Sequence, residues 1–116
     1  MLDSRMSSHR LSKSKVTTGL QCHKLLWWKV HEPKAPELVP DSALQAIFDR
    51  GTRVGELART YFPGGTLIEF DHSDLEKMVQ ETQAAIARGD TVIYEASFFQ
   101  DNVFVSVDIL EKQKDG

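Results

Sequence analysis

The sequence predicts an α/β fold in which N-terminal helices precede a small, helix-flanked sheet that ends in a β-hairpin. Three observations carry this expectation. Val92, Tyr94, Ala96 and Phe98 alternate with Ile93, Glu95, Ser97 and Phe99. After Gln100-Asp101-Asn102 the alternation resumes, Val103, Val105, Val107 and Ile109 against Phe104, Ser106, Asp108 and Leu110. Period two on both sides of a short polar break marks two strands and a tight turn. Leu44, Phe48, Gly51, Gly55, Ala58 and Phe62 recur at steps of four and three, a helical stripe. Leu75, Met78, Val79, Thr82, Ala85 and Ile86 repeat that spacing in a second helix.

Length and composition set the bounds. The chain has 116 residues, 41% hydrophobic and 27% charged, which suits one ordinary globular domain with a modest core. No apolar run approaches the roughly 20 residues needed to cross a bilayer, so no membrane partner is expected. The opening MLDSRMSSHR lacks the apolar stretch of a signal peptide. The single cysteine, Cys22, excludes an internal disulfide, and a cytoplasmic location is expected. The net charge of −3 hides an asymmetry. Residues 1–31 carry six Lys/Arg against Asp3, a local +5, and residues 32–116 carry eight bases against sixteen acids, a local −8. A basic arm on an acidic body points to an anionic partner, nucleic acid above others, with Lys13, Lys15, Lys24 and Lys29 as contacts. The plainer reading of the arm is a solvated segment.

Along the chain, residues 1–10 are polar and aperiodic, and disorder is expected there, with Met6 a second candidate start. In Leu11–Val30, Ser12 or Ser14 suits the cap of a first turn, and Thr17 or Thr18 the cap of a helix to about His31. Cys22 alone reads as a small buried hydrophobe, and Trp27-Trp28 as core or, less favoured, as a base-stacking pair. His23 beside Cys22 has no second Cys/His pair, so no zinc site is expected. Glu32–Pro40 holds three of the four prolines and reads as an extended linker. Asp41 or Ser42 then caps the long helix to about Phe62. Gly51 and Gly55 on its stripe cost about 1 kcal/mol each relative to Ala, a cost that close approach of another backbone would offset. After Pro63-Gly64-Gly65, Thr66–Phe70 is a short strand candidate. His72 leads into Ser73-Asp74-Leu75-Glu76, a capping box in form, and Gly89 closes that helix.

In the hairpin a two-residue turn, Asp101-Asn102, would set Phe99 opposite Phe104, Ser97 opposite Ser106 and Glu95 opposite Asp108. A three-residue turn would separate the two acids. Directly opposed Cβ atoms lie roughly 4.5–5.5 Å apart, and like charges there repel. A divalent cation would reconcile them, because hard oxygen ligands suit Mg²⁺. Otherwise the two carboxylates simply face water. Phe99, Phe104 and Leu110, if exposed, would call for a partner chain or self-association that completes the sheet.

LSKSKVTTGLQCHKLLWW, FDRGTRVGELARTYFPGG and VIYEASFFQDNVFVSVDIL, in that order, resemble the front half of a PD-(D/E)xK nuclease. They are similar to the RecB-like exonucleases associated with CRISPR systems and to a related bacterial family of uncharacterised proteins. The resemblance covers about residues 11–111. It implies the N-terminal part of a restriction-endonuclease-like core and metal-dependent hydrolysis of phosphodiesters in DNA, with Mg²⁺ or Mn²⁺ as cofactor. Asp108 corresponds to the core metal-binding aspartate, and Glu95 to an accessory acid that joins it at the metal and in catalysis. Many relatives place a His or Glu ligand four residues after a glycine matching Gly51. That position is Gly55 here, and Glu56 is one residue further round the helix. The family's (D/E)-x-Lys tripeptide does not occur after Asp108, so the expectation is a domain truncated before that strand, with little or no activity of its own. Cys22 resembles the first of four cysteines that hold an iron–sulfur cluster in some relatives, a cluster that would need the other three to be supplied. The alternative is a non-catalytic module that binds nucleic acid or protein on a degenerate nuclease fold.

Overall fold

The computed structural model describes residues 10–71 and 73–115. The disorder expected for residues 1–10 therefore falls almost wholly outside the described residues, as do Met6 and His72. The described chain is mixed α/β, with four helices and one four-stranded sheet. In chain order the elements are β1 (Leu11–Ser12), α1 (Lys13–Gln21), α2 (His23–His31), α3 (Ser42–Thr60), β2 (Thr66–Leu67), α4 (Leu75–Arg88), β3 (Val92–Gln100) and β4 (Val103–Glu111). The sheet order is β1-β4-β3-β2. The antiparallel hairpin lies at the centre, and each outer strand joins it in parallel. No helix among the described residues is long and apolar enough to cross a membrane.

The turn has two residues, the shorter of the two lengths open to it. Asp101 and Asn102 take φ of 50° and 63°, the left-handed pair that matches the twist of the flanking strands. Gln100 thus pairs with Val103, and Phe99 with Phe104.

The core lies between α4 and the sheet. Met78, Val79, Ala85 and Ile68 meet Ile93, Ala96 and Phe104 there. Phe104 is buried, and Phe99 and Leu110 pack against the same cluster. The hairpin face expected to lack cover is therefore covered by α4. Ile86, expected on the packing side, is instead 49% exposed. Asp74 rather than Ser73 caps α4, accepting from the Lys77 amide at 3.0 Å, and Gly89 closes the helix with φ of 84°.

The N-terminal region departs further from expectation. Leu11–Val30 forms two helices broken at Cys22, whose backbone is extended. Cys22 is exposed, not a buried hydrophobe. Trp27 is 53% exposed and packs edge-on to Trp28. Glu32–Pro40 contains a short 3-10 turn at Pro36–Leu38. Asp41 caps α3 as expected, 2.8 Å from the Leu44 amide. No residue of α3 is buried, and a Cβ at Gly51 or Gly55 would meet nothing within 4 Å. Among the described residues no second backbone comes close to those glycines.

Asp90 ties β2 to the end of α4. Its carboxylate accepts from Thr66 Oγ1 at 2.7 Å and from Arg88 Nη2 at 2.6 Å. The Arg88 hydrogen bonds, then the Thr66 hydroxyl, hold its carboxyl below the usual carboxylate range. A carboxylate with a folded pKa below its unfolded value stabilises fully above the unfolded value, about 4, and loses that effect as pH falls through the folded value. Thermal unfolding followed by circular dichroism from about pH 5 to 3 should show a steeper loss for the wild type than for Asp90→Asn. Asp71, held low by the Ser73 hydroxyl and amide, leaves a residual slope in both. Equal slopes would remove Asp90 from the acid limb.

Candidate functional site

Two concave surfaces collect the residues singled out by sequence. The first is a cleft of about 630 Å³ between α3 and the hairpin, lined by Gly51, Gly55, Glu56, Arg59, Glu95 and Asp108, among others. Gly51 and Gly55 leave two positions of the helix side open, between Thr52, Val54, Glu56, Ala58 and Arg59. The cleft's geometry depends on how the end of α3 is fastened. The buried Tyr94 sends its hydroxyl to the Phe62 carbonyl and accepts from the Gly65 amide at 3.1 Å. The Arg59 guanidinium sits 5.6 Å from the Tyr94 ring centroid, a cation–π distance.

Glu95 is the unusual residue of the cleft. Its φ is 59°, in the left-handed region, which a non-glycine side chain seldom adopts within a strand. The ladder pairs Tyr94 with Ile109 and Ala96 with Val107, and skips Glu95 and Asp108 between them. The break also changes parity: Ile93 and Ala96, three residues apart, both join the core. The pairs on either side share one register, so Glu95 stands across from Asp108 as a two-residue turn requires, with no ladder pairing between the two. Glu95 Oε1 accepts from Arg59 Nη2 at 3.4 Å, and Oε2 from Ser106 Oγ at 3.1 Å. Its charge is balanced by a cation within the chain. Arg59 and Glu95 are 30% and 28% exposed, so the pair contributes no more than about 1 kcal/mol. Asp108 is exposed at the cleft, one residue before Ile109.

These donors do not make a complete site for Mg²⁺ or Mn²⁺. Among the described residues no three His, Cys, Asp or Glu side chains gather in a metal-holding group, and both Glu95 oxygens are engaged. Cys22 stands exposed at the α1–α2 junction and is the only cysteine in the sequence, so the chain offers a cluster one thiolate.

The second surface is a groove of about 480 Å³ beside β1 and β4. Arg10, Lys13, Lys15 and Lys29 line it, and Lys24 does not. Ser12 caps α1 at its edge, accepting from the Lys15 amide at 3.3 Å. Lys29 Nζ crosses from α2 to the buried Thr18 hydroxyl at 3.3 Å. Lys15 Nζ donates to the Arg10 carbonyl at 2.8 Å. Burial, and then the Arg10 charge, pushes the Lys15 ammonium below its usual pKa. Phe70, Phe104, Val105 and Ser106 also line the groove.

Of the four lysines singled out by sequence, Lys13, Lys15 and Lys29 share this groove, and Arg10, Ser106 and Phe70 join them. What joins them is β1. Leu11 pairs with Val103 and its amide donates to the Asn102 carbonyl at 2.8 Å, which draws the start of α1 onto β4. Two residues are too few to show a strand period. No protein-family model, no curated protein and no solved structure matches the chain.

Proposed function

We propose that this chain carries the N-terminal portion of a PD-(D/E)xK-type nuclease fold and acts as a nucleic-acid-binding module, engaging DNA in preference to RNA through its basic N-terminal helices. One observation carries the reading: lysines from both α1 and α2 converge with Arg10 on one groove, and no Asp or Glu is among the residues lining it. A groove of one sign attracts polyanions, and phosphate contacts supply most non-specific affinity. The nuclease ancestry rests on the resemblance, and it is supported by the order of α3 and hairpin around a cleft that holds Asp108 and Glu95.

A second reading is hydrolysis of DNA that depends on Mg²⁺ or Mn²⁺ once a (D/E)-x-Lys strand is supplied. The exposed Asp108 at the cleft favours it. This chain's own contribution there would be a free carboxylate and an Arg59-held Glu95. The metal would supply charge neutralisation and an activated water.

Each reading has its own test. Fluorescence anisotropy with single-stranded DNA should show affinity falling by about tenfold or more between 50 and 200 mM salt, the loss expected when a few phosphates are neutralised. Affinity indifferent to salt would sink the binding reading. With a (D/E)-x-Lys strand added after residue 116, Mg²⁺- or Mn²⁺-dependent cleavage should appear and should vanish in Asp108→Ala; no cleavage, or cleavage that survives the substitution, would sink the hydrolytic one.

A further inference from the structure

We infer that the groove between α1, α2 and β4 is a seat for a single nucleotide unit bearing a phosphate monoester, the phosphate on the cations and the base on the apolar wall. This rests on the nucleic-acid reading and narrows it from backbone to end group. Three features support it.

The first is charge density. Arg10, Lys13, Lys15 and Lys29 share one groove of about 480 Å³. None of the ion pairs among the described residues includes Lys13 or Lys29. A phosphodiester carries one negative charge, and a monoester carries about −1.5 to −2 near neutrality with three acceptor oxygens. Several cations around one small volume match the monoester better. A diester track would be served by cations spread along a surface, and Lys24, the one predicted contact off the groove, is the only N-terminal lysine so placed.

The second is donor type and position. The first turn of α1 begins at Lys13, so its amides and helix dipole add to the same end of the groove. The Ser12 and Ser14 hydroxyls lie 3.1 Å apart at that end. The third is the apolar part of the lining. Phe70 is 50% exposed and Val105 44% exposed, both lining the groove. A half-exposed aromatic beside a cation cluster suits a stacked base. Ser106 lines the groove and also donates to Glu95 in the acid cleft, so one side chain links the two surfaces.

The ligand has two sources, a free nucleotide or the phosphorylated end of a strand. The test uses the full chain and short oligothymidylates that differ only in carrying a 5′-phosphate, a 3′-phosphate or no terminal phosphate, with thymidine monophosphate as competitor. A terminal phosphate should tighten binding about tenfold, the factor of one charge-assisted hydrogen bond. Lys29→Gln and Lys13→Gln should each abolish that preference, while Lys34→Gln, an equal charge loss on the exposed 32–41 loop, should leave it intact. Phe70→Ala should weaken thymidine monophosphate more than inorganic phosphate. Competition by the mononucleotide equal to that of the phosphorylated oligomer would assign the seat to free nucleotides, and weaker competition would assign it to strand ends. Oligomers that bind with salt-dependent affinity but without regard to their ends would overturn the inference and leave the binding module standing. No binding of any oligomer or mononucleotide would overturn both. Thermal melts of each variant separate lost recognition from lost folding.

Discussion

Thr82→Val should cost about 1–3 kcal/mol, although the two side chains have nearly the same shape. Thr82 is fully buried on α4. Its hydroxyl donates to the Met78 carbonyl at 2.9 Å and accepts from the Ser97 amide at 2.9 Å. The second bond is the important one. β2 pairs with β3 only at Ile93 and Tyr94, so among the described residues no strand lies beside the outer edge of β3 beyond Tyr94. Ser97 is buried there, and the Thr82 hydroxyl takes the place of a neighbouring carbonyl or water. Valine keeps the volume and removes the acceptor, leaving a buried N–H whose desolvation is no longer compensated. Chemical denaturation should show the loss, with Ile86→Ala on the exposed side of the same helix within about 0.5 kcal/mol of wild type. Thr82→Val within that same margin would remove the assigned role. The effect should also reach the acid cleft, because the Ser97 hydroxyl donates to the Glu95 carbonyl at 3.0 Å and so braces the residue that breaks the ladder.

The contrast between Thr82 and Glu95 shows what could be read from the sequence. Thr82 lies on a helical stripe whose period is plain, and the whole of α4, its Gly89 end and the tight turn at Asp101-Asn102 follow from local chemistry. The long α3 and its Asp41 cap follow likewise. β2 falls inside Thr66–Phe70, where a strand is expected, but β1 does not follow, because a two-residue strand is made by the partner it pairs with and carries no period of its own. Nor does the break at Cys22, where neither proline nor glycine marks the boundary. Glu95 was legible as an acid in a strand but not as a left-handed residue, since Gly, Asn and Asp are the types that signal positive φ. Its side chain is met by Ser106 across the hairpin and by Arg59, 36 residues away, and no local pattern reports such contacts. The basic groove divides the same way: its lysines stand out by charge, and their convergence depends on β1.

Gly65→Ala should cost about 1–3 kcal/mol and loosen α3 from the hairpin. Gly65 needs no unusual backbone; it needs space. A Cβ there would lie 2.6 Å from Tyr94 Cε2 and 2.8 Å from the Tyr94 hydroxyl oxygen, inside the distance any real carbon contact tolerates. Tyr94 has little freedom to yield. It is 8% exposed, and its hydroxyl is held between the Gly65 amide and the carbonyl of Phe62. Overpacking of a held aromatic costs in this range. None of α3 is buried, so that hydroxyl and the Arg59 contacts are the means by which the helix end is fixed. Hydrogen exchange should therefore speed up in the last turns of α3 before it does in α4, and the melting temperature should fall. Tyr94→Phe keeps the ring and removes the hydroxyl's hydrogen bonds to Gly65, Phe62 and Arg59, so it should loosen the same turns by a different route. The double substitution should cost less than the sum of the singles, because both act on one contact. Additive costs would mean that the alanine methyl is accommodated elsewhere and that Tyr94 is not the fastening point. The groove of α1 and α2 lies outside this contact, so phosphate recognition should survive Gly65→Ala while the cleft that holds Asp108 and Glu95 loses its helix wall.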